Sequence, residues 1–243
     1  MGRSGRGGWA SISADDENGM ELREIQEVAR TAGRFAVSTP LVATLLAGRW
    51  FELDQDVLDR GAVPIVRRDD RLVAPYYADG VAIVDGAGAV VESSGVEAAV
   101  FADLVPLALV PGEHPALDGE RLAEARAVFA AVAVGCADIV LTRSIAWAQT
   151  RQQFGQPIKG FQAVRHMLAD AHIAREQAWT AAIAAGHEAF RADVWAAQAF
   201  TLARRSIEFG IQVHGGVGYT WEVGLQHHLD QVLELDSLFG GDR

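Results

Sequence analysis

Two stretches in the second half of the chain carry groups that could hold a phosphate. The first, residues 151–162, reads Arg-Gln-Gln-Phe-Gly-Gln-Pro-Ile-Lys-Gly-Phe-Gln. A planar guanidinium can bind a phosphate through two hydrogen bonds, and a neighbouring aromatic ring can pack against an adenine. The second, residues 212–219, reads Gln-Val-His-Gly-Gly-Val-Gly-Tyr. Its glycines would let a ligand approach the backbone closely.

Each stretch also has an ordinary structural explanation. Arg151 can cap the last turn of a helix, where a cation interacts favourably with the terminal carbonyls, and Phe154 can close the end of a helical bundle. The Gly-rich stretch can be a flexible turn between helices. It is not a dinucleotide-binding fingerprint of the Rossmann type, because no strand precedes it and its glycines do not open a βαβ unit.

The periodicity of apolar residues places both stretches at helix ends. Before the first stretch, residues recur at steps of four and three: Ala125, Phe129, Val132, Cys136 and Ile139. This spacing predicts a helix over about 118–153 with one buried stripe, ended by a left-handed Gly155 and by Pro157. Further helical patterns cover about 161–186, 191–214 and 221–238. Their short connections predict an antiparallel four-helix bundle over residues 116–243.

The first half of the chain has a different sequence pattern. Residues 1–19 are expected to be a disordered tail, and residues 20–58 read as a helical hairpin in which Gly33 ends the first helix. Over residues 59–115, short β-branched runs are separated by Asp79-Gly80 and Asp85-Gly86. Such dipeptides are hairpin signals, so we expect a small antiparallel sheet there. The fold class is therefore mainly α.

Composition excludes several kinds of function. The net charge of −11 argues against non-specific nucleic-acid binding, which needs surplus basic residues. The apolar runs are too short to predict a membrane span, and no secretory signal is evident, so a cytoplasmic protein is expected. The histidines form no metal-binding pattern. The single cysteine, Cys136, is expected to be a small buried residue. Four tryptophans are assigned to bundle and interface packing: Trp147, Trp179, Trp195 and Trp221.

Taken together, the two stretches resemble a known family. Residues 150–158 with Phe161-Gln162, then Ala169-Asp170, then residues 212–222 are similar to the C-terminal helical domain of acyl-CoA dehydrogenases. The resemblance is specific over about 118–239 and looser over about 20–111. It implies an acyl-CoA dehydrogenase-like fold and an activity that oxidises acyl-CoA thioesters to 2-enoyl-CoA, with hydride transfer to FAD. It also implies that a subunit interface helps to form each flavin site.

The resemblance assigns the cofactor-binding residues position by position. Three match residues that reach the FAD pyrophosphate of the partner subunit: Arg151, Gln152 and Gln153. Three match the segment near the adenine half: Phe154, Phe161 and Gln162. Five match a second strip that contacts the pyrophosphate: Gln212, Val213, His214, Gly215 and Gly216.

The same resemblance places no acidic residue at the catalytic position. The reaction needs a carboxylate that removes the α-proton of the thioester while hydride leaves the β-carbon. The two places where this family carries that glutamate correspond to Phe239 and Ala125, and neither side chain accepts a proton. Glu124 lies about 100° around the helix from Ala125 and Glu120 more than one turn earlier, so both are weak alternatives. This chain is therefore expected to lack the base.

The chain matches the family at the cofactor-contacting positions but has no acidic residue at the base positions. This combination predicts that the chain is one subunit of a larger enzyme. The resemblance is to the short, non-catalytic subunit of a heteromeric α2β2 acyl-CoA dehydrogenase of the actinobacterial steroid-degrading type, with a truncated N-terminal helical segment and a reduced β domain. A full-length homologue would supply the base and most of the acyl-CoA pocket, and FAD would be shared at the interface. Two alternatives stay open: a homo-oligomeric dehydrogenase with an unusual carboxylate base, and a flavin-free helical assembly subunit.

Overall fold

The structure is a computed structural model that describes residues 20–36, 38–92, 96–99 and 105–241. The predicted tail, 1–19, lies outside the described residues. The helices are α1 (Leu22–Gly33), α2 (Leu41–Trp50), α3 (Gln55–Arg60), α4 (Gly119–Thr150), α5 (Gln162–His187), α6 (Ala192–His214) and α7 (Leu225–Phe239). The strands are β1 (Ala62–Pro64), β2 (Val66–Arg68), β3 (Arg71–Pro75), β4 (Ala82–Val84), β5 (Val90–Val91), β6 (Glu97–Ala99), β7 (Leu107–Leu109), β8 (Gln152–Gln153) and β9 (Gln156–Pro157).

The chain divides into two compact units. The first comprises Met1–Ile25 and Ser38–Ala125, and the second comprises Gln26–Val37 and Arg126–Arg243. In the first unit, α2 packs against β1, and the Thr44 hydroxyl joins them by accepting a hydrogen bond from the Ala62 N–H at 2.9 Å. A small apolar core fills the space around them: Ala47, Val57, Ala62, Ala82 and Val84.

The strands of the first unit form two sheets, in the orders β1-β4-β5 and β2-β3-β7-β6. The Asp85-Gly86 hairpin is confirmed, since β4 and β5 are antiparallel with Ile83 opposite Val91. The hairpin expected at Asp79-Gly80 is wrong, because β2 and β7 already pair with both edges of β3. Strand β4 instead pairs in parallel with β1. The expected single antiparallel sheet is therefore two sheets, one of them mixed.

The second unit contains the predicted antiparallel bundle, and the mainly helical fold class is confirmed. Contacts between α4 and α7 run in opposite directions along the two helices: Phe129 stacks on Phe239, Cys136 contacts Gln231, and Arg143 donates to the carbonyl of Val223. Cys136 is fully buried, as expected, and burial raises the pKa of its thiol. The thiol therefore stays protonated.

Helix α4 is more deeply buried than its sequence pattern predicted. Residues 127–138 are buried on every side, whereas Ile139, expected in the stripe, is only half-buried. A Cβ added to Gly33 or Gly135 would lie 2.0 Å from a backbone carbonyl oxygen of the facing helix, so α1 and α4 touch backbone to backbone. By length and composition α4 could cross a membrane, contrary to our expectation, but 78% of its most apolar stretch is buried within the protein.

Candidate functional site

The first stretch forms a tight reversal between α4 and α5. Helix α4 ends at Thr150, earlier than predicted, because β8 and β9 pair across a two-residue turn. Both turn residues are left-handed, with φ of 51° at Phe154 and 81° at Gly155. This geometry belongs to the primed hairpin turns, which favour Asn-Gly or Gly-Gly over an aromatic residue. The left-handed Gly155 is confirmed, as part of a hairpin rather than a helix cap.

The side chains of this reversal point into solvent. Arg151, Gln152, Gln153 and Gln162 are exposed, and the Phe154 side chain is 92% exposed. The Phe154 ring meets the half-buried Phe161 ring edge to face, with centroids 6.0 Å apart. A left-handed conformation costs a residue with a Cβ about 1–2 kcal/mol, and an exposed ring contributes no core burial. Fold stability therefore does not explain Phe154, whose exposed ring is available to a ligand or to another chain.

The second stretch begins where α6 ends. Gly215 has φ 68° and ψ −148°, a conformation open essentially only to glycine. Gly218 is required by packing, because a Cβ there would lie 2.6 Å from the Ile211 carbonyl oxygen. Gly216 has neither constraint: its φ is not left-handed, and a Cβ would meet nothing within 4 Å. An exposed glycine that the fold does not require fits a place where a ligand approaches the backbone.

The remaining predicted residues of the second stretch differ in exposure. Gln212 is exposed, whereas Val213 and His214 are 6% and 8% exposed and face the bundle interior. Of these three residues, only Gln212 can offer its side chain to a cofactor. Val213 and His214 can contribute through their backbone groups.

Trp147 connects the two stretches in space. Its ring stacks on the His214 imidazole, with centroids 5.3 Å apart and planes 19° apart. The Arg151 Cζ atom lies 5.7 Å from the centroid of the same ring, within the range of a cation–π contact. Trp147 therefore packs within the bundle, as expected. Its position four residues before Arg151, on the same helix face, was the signal that could have placed it in the site.

His214 is held uncharged within this cluster. Burial lowers its pKa, and the charge of Arg143 acts in the same direction, although a hydrogen bond with the Gly210 carbonyl partly opposes them. The Nδ1 atom lies 2.9 Å from that carbonyl oxygen and donates to it. His214 therefore serves as a neutral stacking partner for Trp147 and adds no positive charge to the site.

The two positions that the resemblance assigned to the catalytic glutamate, Ala125 and Phe239, are both buried. Ala125 has no exposed surface. Phe239 is also fully buried, and its ring stacks on Phe129 with centroids 4.3 Å apart. The side chain at position 239 is thus part of a stacked aromatic pair.

The alternative carboxylates are poorly suited to act as the base. Glu124 accepts hydrogen bonds from Arg49 Nε at 3.2 Å and from Trp50 Nε1 at 2.6 Å. A carboxylate held by a cation and an indole N–H is stabilised in its charged form and fixed in place, which makes it a weaker base. Glu120 is exposed to solvent, where it lacks the dry environment that tunes a base.

The arrangement suits an anionic, aromatic ligand better than a metal ion. Over the ranges that the structure describes, no three His, Cys, Asp or Glu residues lie close enough together to hold a metal. In contrast, Arg151, the Phe154–Phe161 pair and the open backbone at Gly216 gather at one end of the bundle. These groups can bind a phosphate and an aromatic base together.

Comparison with known proteins gives the family directly. The family described as acyl-CoA dehydrogenase, C-terminal domain, matches residues 116–242, which is 127 of the 243 residues. The probable acyl-CoA dehydrogenase YngJ of Bacillus subtilis is 39% identical over 123 residues, which cover 46% of this chain and 30% of that protein. The acyl-CoA dehydrogenase IpdE2 of Mycolicibacterium smegmatis is 27% identical and the match covers 93% of this chain and 77% of that protein.

Solved structures agree with this fold. A variant of the Tcur3481-Tcur3483 steroid ACAD superposes with a TM-score of 0.72 at 21% identity, covering 96% of this chain and 82% of that one. The ChsE4-ChsE5 complex of Mycobacterium tuberculosis gives a TM-score of 0.66 at 20% identity, covering 96% and 80%. The fold, the two stretches and the family match agree, and the chain belongs to the acyl-CoA dehydrogenase family.

Proposed function

We propose that this chain is a non-catalytic subunit of an FAD-dependent acyl-CoA dehydrogenase. In this proposal it lends the Arg151–Gln162 reversal and the Gln212–Gly216 strip to a flavin at a subunit interface. A full-length homologous subunit supplies the catalytic glutamate and most of the acyl-CoA pocket. The observation that carries the proposal is the contrast between an exposed, phosphate-suited end of the bundle and base positions that are filled with buried apolar side chains.

The residues present fit an FAD dinucleotide. Arg151 is exposed and can pair with the pyrophosphate through two hydrogen bonds. The open backbone at Gly216 leaves room for the same group to approach. The edge-to-face pair of Phe154 and Phe161 offers an apolar surface for the adenine. When bound, FAD accepts the hydride, whereas these residues bind and orient the cofactor.

The proton step is assigned to the partner subunit. Removing the α-proton of a thioester requires a carboxylate within hydrogen-bond reach of that proton. In this chain the usual position holds the buried Phe239 ring, and Glu124 is bound to Arg49 and Trp50. A carboxylate on the partner subunit satisfies the chemistry without any rearrangement of this chain.

The similar structures support a mixed assembly and a bulky substrate. Two proteins with this fold are solved as pairs of different chains, ChsE4-ChsE5 and Tcur3481-Tcur3483, and the second is a steroid ACAD. We therefore favour an α2β2 complex that acts on a steroid-derived acyl-CoA. A colourless helical assembly subunit is the second candidate, and flavin content separates the two.

The test is the substitution Arg151→Ala in the complex of this chain with its glutamate-containing homologue. Loss of a charge-assisted, bidentate phosphate contact is expected to weaken FAD binding about 10- to 100-fold. The measurement is the dissociation constant of FAD, obtained by titrating flavin into the deflavinated complex and following flavin fluorescence.

Arg191→Ala is the matched control. Arg191 lies 5.7 Å from the Trp195 ring, the same distance as in the Arg151–Trp147 pair, but at the opposite end of the bundle. This control is expected to leave FAD affinity unchanged. If Arg151→Ala behaves like Arg191→Ala, or if the complex is isolated without flavin and binds none, the proposed function is wrong.

A further inference from the structure

Trp147 contacts both of the proposed cofactor-contacting strips, residues 151–162 and residues 212–216, and the fold fixes its position. It belongs to the last full turn of α4, where the Arg151 N–H donates to its carbonyl at 2.8 Å. Its ring contacts the Arg151 guanidinium on one strip and the His214 imidazole on the other.

The helices beneath this ring are held at close range. A Cβ added to Gly210 would lie 2.6 Å from Val140 Cγ1 and 2.9 Å from Ser144 Oγ, so α6 approaches α4 as closely as a glycine allows. The Ser144 hydroxyl also donates to the Gly210 carbonyl at 3.1 Å. His214, one turn beyond Gly210, is tied to the same carbonyl. The surface on which Trp147 stacks is therefore rigid.

Arg151 itself is not otherwise rigid. It is exposed, and an arginine side chain carries about 2 kcal/mol of rotamer entropy that is lost on binding. Contact with an aromatic face restricts the guanidinium before a ligand arrives, which lowers that loss. A ring held on a closely packed helix pair therefore keeps the guanidinium near His214, the residue directly before Gly215 and Gly216.

We infer that Trp147 is a positioning residue for the flavin pyrophosphate: it contacts Arg151 and His214 and aligns the guanidinium with the glycine strip. This inference rests on the proposed function, because Trp147 acts through a cofactor that the two strips would share. It is not assigned any direct contact with FAD.

The experiment compares Trp147→Leu and Trp147→Phe in the mixed complex by FAD titration. Trp147→Leu removes the aromatic face and is expected to weaken FAD binding about three- to tenfold, in line with a partly desolvated cation–π contact. Trp147→Phe keeps a ring and is expected to stay within about twofold of the unchanged protein. The control is Trp195→Leu, which removes an equivalent Arg–Trp contact at the other end of the bundle.

A double-mutant cycle with Arg151→Ala identifies the route of action. If Trp147 acts through Arg151, adding Trp147→Leu to Arg151→Ala produces no further weakening. Additive losses would contradict the inference, because they indicate an independent contact with FAD. Equal losses for Trp147→Leu and Trp195→Leu would also contradict it, because they indicate a general effect on the bundle.

The proposed function and this inference fail in different ways. If Arg151→Ala leaves FAD affinity unchanged, the proposed flavin strip is wrong and the inference falls with it. If Arg151→Ala weakens binding and Trp147→Leu does not, the proposed function stands and only the positioning role of Trp147 is overturned.

Discussion

At the scale of single residues, the site is marked by features that the fold does not need. Phe154 is left-handed and exposed, and Gly216 is a glycine without a steric or conformational reason. A residue that costs stability and contributes no packing points to a role outside the chain's own core. By contrast, Phe239 is fully explained by packing, because it completes the stacked pair with Phe129.

Phe239→Glu tests whether the base position is truly closed. A carboxylate placed against Phe129 would lose the aromatic contact and bury a group without a partner, so the free energy of unfolding is expected to fall by about 3–5 kcal/mol. The substituted chain is expected to gain no acyl-CoA dehydrogenase activity on its own. Denaturant unfolding and an assay of dye reduction by acyl-CoA are the two measurements.

Phe239→Leu is the companion variant, because it keeps an apolar side chain at the same place. It is expected to unfold at a denaturant concentration between those of the original chain and Phe239→Glu. A stable Phe239→Glu chain that dehydrogenates an acyl-CoA alone would contradict the account, because it would mean that an acyl pocket reaches this position.

Residue types predicted part of the site, and the fold supplied the rest. Arg151, Gln212 and the glycines could be singled out from chemistry and motif alone. The meeting of Trp147 with His214 could not, because it depends on how closely α6 approaches α4, a tertiary contact between residues far apart in the chain. The burial of Val213 and His214 was missed for the same reason.

At the scale of elements, the approach of α4 to α6 positions the site. Gly210 allows this approach, since its missing side chain leaves room for Val140 and Ser144. The buried Ser144 hydroxyl is satisfied there, because the carbonyl oxygens of Val140 at 2.8 Å and Gly210 at 3.1 Å can both accept its hydrogen bond. The two strips therefore depend on one closely packed crossing.

Gly210→Ala is expected to destabilise the bundle despite the better helix propensity of alanine. The gain in propensity is about 1 kcal/mol, whereas overpacking a tight helix crossing costs about 1–3 kcal/mol. A net loss of up to about 2 kcal/mol in the free energy of unfolding should follow. Denaturant unfolding of the purified protein measures it.

Val140→Ala provides the internal check, because it removes the methyl group that the new Cβ would meet. The double variant Gly210→Ala/Val140→Ala is expected to lose less free energy of unfolding than the two single variants lose when their losses are added. Strict additivity would mean that the α4–α6 contact at Gly210 is not tight.

The sequence predicted helices better than strands. The bundle helices were placed within a few residues because their apolar spacing is set by local geometry. The pairing of β4 with β1 was missed because Asp79-Gly80 is a local turn signal and cannot report that both edges of β3 are already occupied. The complete burial of residues 127–138 was also missed, since periodicity alone showed only one stripe.

At the scale of the whole molecule, the chain combines an exposed end of the bundle that carries Arg151 with buried apolar side chains at Ala125 and Phe239, the positions that the resemblance assigned to the base. The family match and the fold make it an acyl-CoA dehydrogenase relative. A flavin site that is built by two different subunits accounts for both features with one arrangement. Under the proposed function, the partner subunit supplies the carboxylate at the reacting carbon.

The most direct test is to count flavins in the complex of this chain with a homologue that retains the catalytic glutamate. Flavin absorbance and quantification of each chain give the ratio. The account predicts one FAD for each pair of unlike chains, and weaker retention of that flavin when Arg151→Ala is introduced into this chain alone. One FAD per copy of this chain, bound without the partner and supporting turnover of an acyl-CoA, would contradict it.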